Sequence, residues 1–208
     1  SNNIKIYLNK LKIYNNAKII AVSKTFKIDK ILPLIEHGHI DFGENKVQEA
    51  LEKWTEIKKK NSKLKLHMIG KLQTNKVKFA VQIFDYIHSV DSEKLAKKIA
   101  DEQNKIDKKI KIFLQVNIGN ESQKSGINKN EVGKLVSFSK EIGLNVIGLM
   151  CIPPVNSDPE GYFVEMNKLN MDLGLKELSM GMSSDYLIAS KNFSTYIRVG
   201  SSIFGQRS

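Results

Sequence analysis

The sequence predicts an α/β fold, a single closed (β/α)8 barrel of the TIM type with one extra helix at its N-terminus. Short apolar runs rich in β-branched residues alternate with longer amphipathic runs, which is typical of βα units around a parallel sheet. An open doubly wound sheet usually has a glycine-rich turn after its first strand, whereas here that strand runs into Val22-Ser-Lys-Thr-Phe26. The closed barrel is therefore favoured, in a compact form, since typical barrels have about 250 residues.

The predicted elements follow one another in a regular order. A leading helix near Ile4–Tyr14 precedes the first strand. The eight strand candidates, each short, apolar and β-branched, are Lys18–Thr25, Ile40–Asn45, Lys65–Leu72, Tyr86–Asp91, Lys111–Ile118, Asn145–Ile152, Glu177–Ser183 and Tyr196–Phe204. The amphipathic helices between them are Ile28–His37, Val47–Lys60, Ser92–Lys105, Asn130–Ile142, Pro159–Leu173 and Asp185–Asn192. The third connection, Asn75–Val81, is short, and His37-Gly-His39 predicts a glycine helix end rather than a metal site.

Length and composition predict one globular domain spanning residues 1–208. The chain is long enough for one good core, and its 41% hydrophobic and 26% charged residues are ordinary for a soluble protein. No apolar stretch approaches the roughly eighteen residues of a membrane span, and the opening residues are too charged for a signal sequence. A lone Cys151 forbids an internal disulfide and agrees with a reducing compartment. We therefore expect a cytoplasmic protein with no membrane partner.

The strongly basic character of the chain raises the possibility of nucleic-acid binding. The formal net charge is +11, and the sequence pI is near 9.5. The lysines recur throughout the predicted helices, as in Lys58-Lys59-Lys60, where solvated helix faces explain them better. The sequence therefore predicts no nucleic-acid partner, although a basic surface would attract phosphorylated anions.

The use of arginine is unusual. Lys and Arg total 33 residues, yet only Arg198 and Arg207 are arginine. Arg207 is interpreted as a terminal surface charge. Arg198 lies inside an apolar strand run, where an unpaired charge would be costly. The planar guanidinium suits a fixed partner such as a ring nitrogen, a carboxylate or a phosphate oxygen, so a defined geometry is expected at Arg198.

Polar residues stand where the predicted strands end. In a barrel these ends converge on one mouth, so residues distant in sequence become neighbours. The residues concerned are Lys24, Glu44, Asn45, Gln73, Ser89, Asn117, Ser183, Arg198, Gly200 and Ser201. They include no Ser-His-Asp set, no paired-carboxylate centre and no metal-ligand spacing. One lysine, one arginine and several small hydroxyl and amide groups instead suit a phosphorylated aldehyde.

The residue types suggest how such a ligand would be held. A partly desolvated Lys24 close to Arg198 would lose its proton more readily, which frees its amine to attack a carbonyl group. The small residues Gly181, Ser183, Gly200 and Ser201 would let N–H groups and hydroxyls close around a phosphate. Arg198 would then face the other end of the ligand.

Nine sequence motifs in order along the chain resemble the pyridoxal phosphate (PLP) homeostasis proteins. They are Ala21-Val-Ser-Lys-Thr25, Phe42-Gly-Glu-Asn-Lys-Val-Gln-Glu49, His67-Met-Ile-Gly-Lys-Leu-Gln-Thr-Asn-Lys76, His88-Ser-Val-Asp91, Gln115-Val-Asn117, Lys124-Ser-Gly126, Gly148-Leu-Met150 with Pro153-Pro154, Met180-Gly-Met-Ser183 and Arg198-Val-Gly-Ser-Ser-Ile-Phe-Gly205. The chain departs from the family pattern at Ser201, where threonine is usual and the hydroxyl is kept, and at Phe193, where glycine is common.

The resemblance implies a fold similar to the N-terminal domain of bacterial alanine racemase, with PLP as the cofactor bound at the mouth. Lys24 would form the internal aldimine, a Schiff base with PLP, and Asn45 would lie near the cofactor ring. Ser183, Gly200 and Ser201 would hold the phosphate. Arg198 would meet the pyridine nitrogen and keep it unprotonated, which weakens the ring as an electron sink.

The resemblance also implies a role in intracellular PLP homeostasis without substantial turnover, and so not an enzyme. Such a carrier would bind PLP, limit the free aldehyde and support transfer to PLP-requiring apoenzymes. Alanine racemases have a second, β-rich domain that supplies a catalytic tyrosine across a dimer interface. We expect no such domain after Arg207, and hence a monomer. The alternative is a PLP-dependent amino-acid racemase or related enzyme, which would need a second base.

Overall fold

The computed structural model describes residues 17–205 and consists of a closed barrel of parallel strands. Within that range the eight strands are β1 (Lys18–Val22), β2 (Asp41–Glu44), β3 (Lys65–Met68), β4 (Tyr86–Val90), β5 (Lys111–Gln115), β6 (Asn145–Met150), β7 (Glu177–Ser179) and β8 (Tyr196–Val199). Each strand pairs with its neighbours in sequence, and β8 pairs with β1 to close the barrel. The predicted (β/α)8 barrel is confirmed. The predicted helix Ile4–Tyr14 and Arg207 lie outside the described residues.

Helices follow the strands, and all but the last of them lie where a helix or a short connection was predicted. They are α1 (Ile28–Glu36), α2 (Val47–Lys60), α3 (Val77–Ile83), α4 (Glu93–Lys105), α5 (Val132–Glu141), α6 (Glu160–Asp172), α7 (Tyr186–Lys191) and α8 (Ser201–Phe204). The short third connection is α3, which is preceded by a 3-10 turn at Thr74–Lys76. In the part of the chain from 17 to 205, no helix is both long and apolar enough to cross a membrane.

Local capping explains one helix start and one helix end. Ser92 accepts a hydrogen bond from the Leu95 N–H at 3.1 Å, which starts α4 one residue after its predicted first residue. Gly38 has a φ of +90°, and its N–H donates to Ile35 O while the His39 N–H donates to Leu34 O. These two bonds form a Schellman motif, so the predicted helix end at Gly38, after α1, is confirmed. Residues 17–205 contain no cluster of three His, Cys, Asp or Glu side chains suited to a metal ion.

All eight strands end earlier than predicted. The prediction Tyr196–Phe204 is wrong after Val199, because the chain turns at Gly200 and continues as the short helix α8. The prediction Glu177–Ser183 likewise stops at Ser179. Apolar residues continue past the ends of the strands because the loops at the mouth are themselves buried, as at Leu72, Ile118 and Met180. Burial therefore extends further along the chain than strand pairing does.

Two hydrophobic clusters support the barrel. The larger one fills the space between the sheet and the surrounding helices and includes Trp54 of α2, whose ring centroid lies 4.9 Å from that of Phe42. The smaller one lies inside the barrel and consists of Ile20, Tyr86, Phe113, Met150 and Tyr196. The interior also contains two fully buried histidines, which makes it more polar than the aliphatic layers usual in such barrels.

The closure between β1 and β8 positions the mouth. Ile20 of β1 stands opposite Arg198 of β8, and Ala21 stands opposite Val199. The ends of the first and last strands are therefore adjacent, although they are almost the whole described chain apart in sequence. The two predicted site residues with charged side chains, Lys24 and Arg198, follow or lie on these paired strands.

Candidate functional site

The six predicted site residues line one cavity at the mouth of the barrel. This cavity has a volume of about 310 Å³ and is bounded by Lys24, Asn45, Ser183, Arg198, Gly200 and Ser201, together with apolar side chains that include Val22, Ile69 and Ile152. A volume near 300 Å³ is at the small end of the range for ligand pockets. With Ser184 also in its wall, the cavity combines an amine, a guanidinium, an amide and three hydroxyls in a space suited to a small ligand.

Lys24 emerges from a tight turn directly after β1. The next residue, Thr25, has a φ of +66°, a left-handed conformation that is strained for a β-branched residue. Its N–H donates to Glu49 Oε1 at 2.5 Å, and the Phe26 N–H donates to Ser23 O at 3.1 Å. These two bonds hold the backbone on both sides of Lys24, which is itself half-buried. The turn thus presents the lysine to the cavity from a fixed backbone.

A buried ionic cluster underlies this turn. Glu44 Oε1 accepts hydrogen bonds from Ser23 Oγ at 2.7 Å, Lys53 Nζ at 2.9 Å and Trp54 Nε1 at 2.9 Å. Lys53 Nζ also donates to Ser23 O at 2.8 Å and to Glu49 Oε1 at 2.9 Å. Lys53 therefore links Ser23, which precedes Lys24, to Glu49, whose carboxylate accepts the N–H of Thr25 on the other side of Lys24.

The charge of Glu49 is set by opposing effects. Burial by itself would raise the pKa of its carboxyl group, but hydrogen bonds from Lys53 Nζ and the Thr25 N–H, with the charges of Lys53 and Lys46, hold that pKa below its ordinary value. The sequence analysis assigned no role to Glu49 or Lys53. Their spacing of four residues on a predicted helix was the available signal, since it places the two side chains on one face.

Arg198 is buried and has hydrogen-bond partners other than a carboxylate. Its Nη1 donates to Ser179 Oγ at 2.6 Å, and its Nη2 donates to Cys151 O at 3.0 Å. Burial lowers the pKa of the guanidinium, yet an arginine remains charged at neutral pH because its ordinary pKa is so high. Burial also raises the pKa of the Cys151 thiol to about 12, so this neighbour stays neutral. A fixed, cationic donor therefore borders the cavity, as the arginine usage predicted.

Another part of the cavity wall is built from small residues. A Cβ atom added to Gly200 would lie 3.2 Å from Val22 O and 3.3 Å from Val22 Cβ, so a larger residue would crowd the end of β1. Gly181 has a φ of +101°, and an added Cβ would lie 2.7 Å from Ala189 Cβ. These glycines allow the loops after β7 and β8 to approach the cavity closely. Ser183 and Ser201 then place hydroxyl groups at its edge.

Not every predicted strand-end residue borders this cavity. Gln73 lines an adjoining cavity of about 480 Å³, and Asn117 lines another of about 300 Å³; both cavities share Asn45 with the first. Ser89 is buried, and its Oγ has no hydrogen-bond partner in the described range. The predicted strand-end residues other than Glu44 and Ser89 are therefore divided among three cavities, all of which Asn45 lines.

Comparisons with known proteins show the family to which the chain belongs. The family model described as "Alanine racemase, N-terminal domain" matches residues 1–208. The chain is 36% identical over 201 residues to the pyridoxal phosphate homeostasis protein of Pasteurella multocida, with 91% of this chain and 86% of the relative covered. It is also 36% identical over 203 residues to the protein of that name from Aquifex aeolicus, with 93% and 88% covered.

Solved structures give the same result. PipY of Synechococcus elongatus, in a structure with PLP bound, has a TM-score of 0.84 and 34% identity, covering 91% of this chain and 92% of PipY. An alanine racemase of Clostridium difficile has a TM-score of 0.73 at 15% identity, covering 97% of this chain but 56% of the racemase. At that identity the racemase supports the barrel fold alone.

Proposed function

The chain belongs to the pyridoxal phosphate homeostasis protein family. From that premise we propose that it binds pyridoxal 5'-phosphate at the mouth of the barrel and takes part in intracellular PLP homeostasis. The observation that carries the proposal is the cavity itself, around which all six predicted residues meet. It offers an amine for the aldehyde, small residues for the phosphate and a buried guanidinium for the ring.

Each residue has a chemical part in this proposal. Lys24 Nζ attacks the aldehyde carbon, and loss of water leaves a Schiff base that retains the ligand covalently. Ser183, Ser201 and the backbone at Gly200 provide hydrogen bonds for the phosphate, and Asn45 lies beside the ring. The close approach of Gly200 to Val22 supports the fit, because any side chain there would crowd the wall of the cavity.

Arg198 favours a carrier over an enzyme. When bound, PLP supplies an electron sink for carbanions, and a protonated ring nitrogen strengthens that sink. A cationic donor at the nitrogen opposes its protonation, so turnover would be small. The racemase alternative needs a second base, whereas the described residues that line this cavity include one lysine and no His, Tyr, Cys, Asp or Glu. We therefore assign no substantial catalysis to the chain.

The cellular setting belongs to the same proposal. PLP-requiring apoenzymes are the recipients expected for a carrier of this chemistry, and the cytoplasm is the expected compartment. The proposal also includes a monomeric state. Light scattering during size-exclusion chromatography measures the mass, and a dimer would contradict that part.

The experiment that tests the proposal is a visible absorbance spectrum of the purified protein with added PLP, before and after borohydride. Wild-type protein should show a Schiff-base band that borohydride removes, and mass spectrometry should place the phosphopyridoxyl group on the Lys24 peptide. Lys24→Ala should lack the band. Lys27→Ala, which removes an exposed lysine three residues further on, should keep it. A wild-type protein without the band, or an adduct confined to other lysines, would refute the proposed site.

A further inference from the structure

A line of hydrogen bonds crosses the interior of the barrel from Arg198 to Asp41. Arg198 Nη1 lies 2.6 Å from Ser179 Oγ, which lies 2.8 Å from His88 Nδ1. His88 Nε2 lies 2.9 Å from His67 Nδ1, and His67 Nε2 lies 2.8 Å from Asp41 Oδ1. We call these four bonds the interior chain. It joins residues of β8, β7, β4, β3 and β2, so it runs from the mouth to the opposite end of the barrel.

One arrangement of protons gives every donor in the interior chain an acceptor. The Asp41 carboxylate only accepts, so the hydrogen of His67 is on Nε2 and its Nδ1 is free to accept. His88 then donates from Nε2 and accepts at Nδ1 from the Ser179 hydroxyl, whose oxygen accepts from Arg198. A doubly protonated His67 would reverse the two middle bonds and leave the Ser179 hydrogen without an acceptor in residues 17–205. All four bonds therefore point from Arg198 towards Asp41, through two neutral imidazoles.

The surroundings of the interior chain exclude water. His67, His88 and Ser179 have no solvent exposure, and Arg198 and Asp41 are buried as well. The His67 ring stacks on Tyr86 with centroids 4.1 Å apart, and the His88 ring stacks on Phe113 at 4.3 Å. Burial lowers the pKa of both imidazoles, against the opposing effect of Asp41 on His67, and so keeps them neutral near pH 7.

We propose that Ser179, His88, His67 and Asp41 are positioning residues that hold Arg198 as a cationic donor directed at the ring nitrogen of PLP. An arginine has five N–H donors, and Ser179 and Cys151 O engage two guanidinium nitrogens, which fixes the plane of the fork. Hydrogen bonds in series polarise one another, so the Ser179 oxygen becomes a stronger acceptor because its own hydrogen is donated to His88. This inference rests on the proposed function for the identity of the ligand.

The Asp41 carboxylate, the negative charge of the interior chain, lies at the end distant from Arg198. No carboxylate in the described chain forms an ion pair with Arg198, and the acidic end of the interior chain is three side chains away at Asp41. A carboxylate placed directly on the guanidinium would neutralise it. The interior chain orients the guanidinium through neutral groups instead, so its full positive charge acts on the cavity. Such a charge disfavours protonation of a nearby ring nitrogen.

The first test needs no cofactor. The protein has four histidines, so nitrogen NMR of histidine-labelled protein gives a simple spectrum. His67 and His88 should both be neutral at pH 7, with the hydrogen of each ring on Nε2. A His67 or His88 that is cationic at pH 7, or that has hydrogen on Nδ1, would overturn the interior chain whether or not PLP binds.

The second test breaks the bond next to Arg198. Ser179→Ala should weaken PLP binding about tenfold, equivalent to about 1.4 kcal/mol, and should shift the nitrogen resonances of His88 in the cofactor-free protein. With nitrogen-labelled PLP, the ring nitrogen should become easier to protonate than in wild type. The matched control is Ser139→Ala, since Ser139 is equally buried and its Oγ has no hydrogen-bond partner in the described range. His88→Gln, which can still donate and accept, should restore part of the affinity lost in His88→Leu.

The outcomes separate this inference from the proposed function. Equal PLP affinity and equal ring-nitrogen protonation in Ser179→Ala and Ser139→Ala would overturn the positioning role. Protein with the expected tautomers that binds no PLP would refute the proposed function and the ligand assigned to Arg198. Protein that binds PLP at Lys24 but has other tautomers would overturn the interior chain alone.

Discussion

Lys53→Met should be strongly destabilising, because it leaves a buried carboxylate without its counter-ion. The Lys53 side chain is 9% exposed and that of Glu44 is fully buried, and their charged atoms are 2.9 Å apart. Glu44 Oε2 has no hydrogen-bond partner in the described residues, so after the substitution Ser23 and Trp54 alone would support the negative charge. Methionine is similar in length to lysine, which limits the loss of packing.

The magnitude follows from the burial of the pair. Removing one partner of a buried ion pair costs about 3–5 kcal/mol, because an uncompensated charge remains in the interior. For a protein of this size, each kcal/mol lowers the melting temperature by roughly 2–4 °C, so a decrease of about 6–20 °C is expected. Urea denaturation at neutral pH measures the loss directly. The turn at Thr25 should loosen as well, because Glu49 loses the hydrogen bond from Lys53.

Two controls make this prediction specific. Lys59→Met removes an ion pair with Glu56 in which both side chains are about two-thirds exposed or more, so it should lower the melting temperature far less than Lys53→Met does. Glu44→Gln combined with Lys53→Met removes the stranded charge and should recover part of the loss. If Lys53→Met were no more destabilising than Lys59→Met, the argument from the buried charge would be refuted.

Two further predictions concern pH and backbone packing. Burial lowers the pKa of His67 and His88 in the folded protein, so below the unfolded pKa of about 6.5 the unfolded chain binds protons that the folded chain does not. The contribution of these two histidines to the free energy of unfolding should therefore be fully present above about pH 6.5. It should decrease as the pH falls, by up to about 1.4 kcal/mol per pH unit for each histidine. Urea melts showing constant stability between neutral and mildly acidic pH would contradict this. Gly148→Ala should destabilise the protein by about 1–3 kcal/mol or more, since the added Cβ would lie 1.9 Å from Glu177 O. Gly161→Ala, on α6 with open space around the added Cβ, should instead stabilise it by about 0.5–1 kcal/mol. Thermal melts compare the two variants, and equal melting temperatures would contradict the packing argument.

The fold was predictable because its signal is local and repeated. Alternation of strand and helix periodicities is visible within each short segment, and the C-terminal strand ends of a barrel must converge. That rule alone placed Lys24, Arg198 and Ser201 near one another, and the structure puts them around one cavity. The ends of the strands were less accessible, because buried loop residues such as Met180 have the same composition as strand residues.

The interior chain could not be predicted in the same way. His67 and His88 lie on adjacent strands, but whether two strand histidines meet depends on register and on which way each side chain points. Ser179 is far from both in sequence, and a serine carries little signal by itself. The pairing of Lys53 with Glu44 was hidden for a related reason, since the helix spacing indicated only its contact with Glu49.

The pairing of β1 with β8 has a consequence for how the binding site comes into existence. Lys24 follows the first strand, whereas Arg198, Gly200 and Ser201 belong to the last strand and the turn after it. During synthesis, the lysine leaves the ribosome long before the groups proposed to complete the pocket. A reactive aldehyde would meet a finished pocket only after the final strand has docked. Ligand binding would then stabilise the docked state by mass action, so the cofactor would favour complete chains over partly made ones.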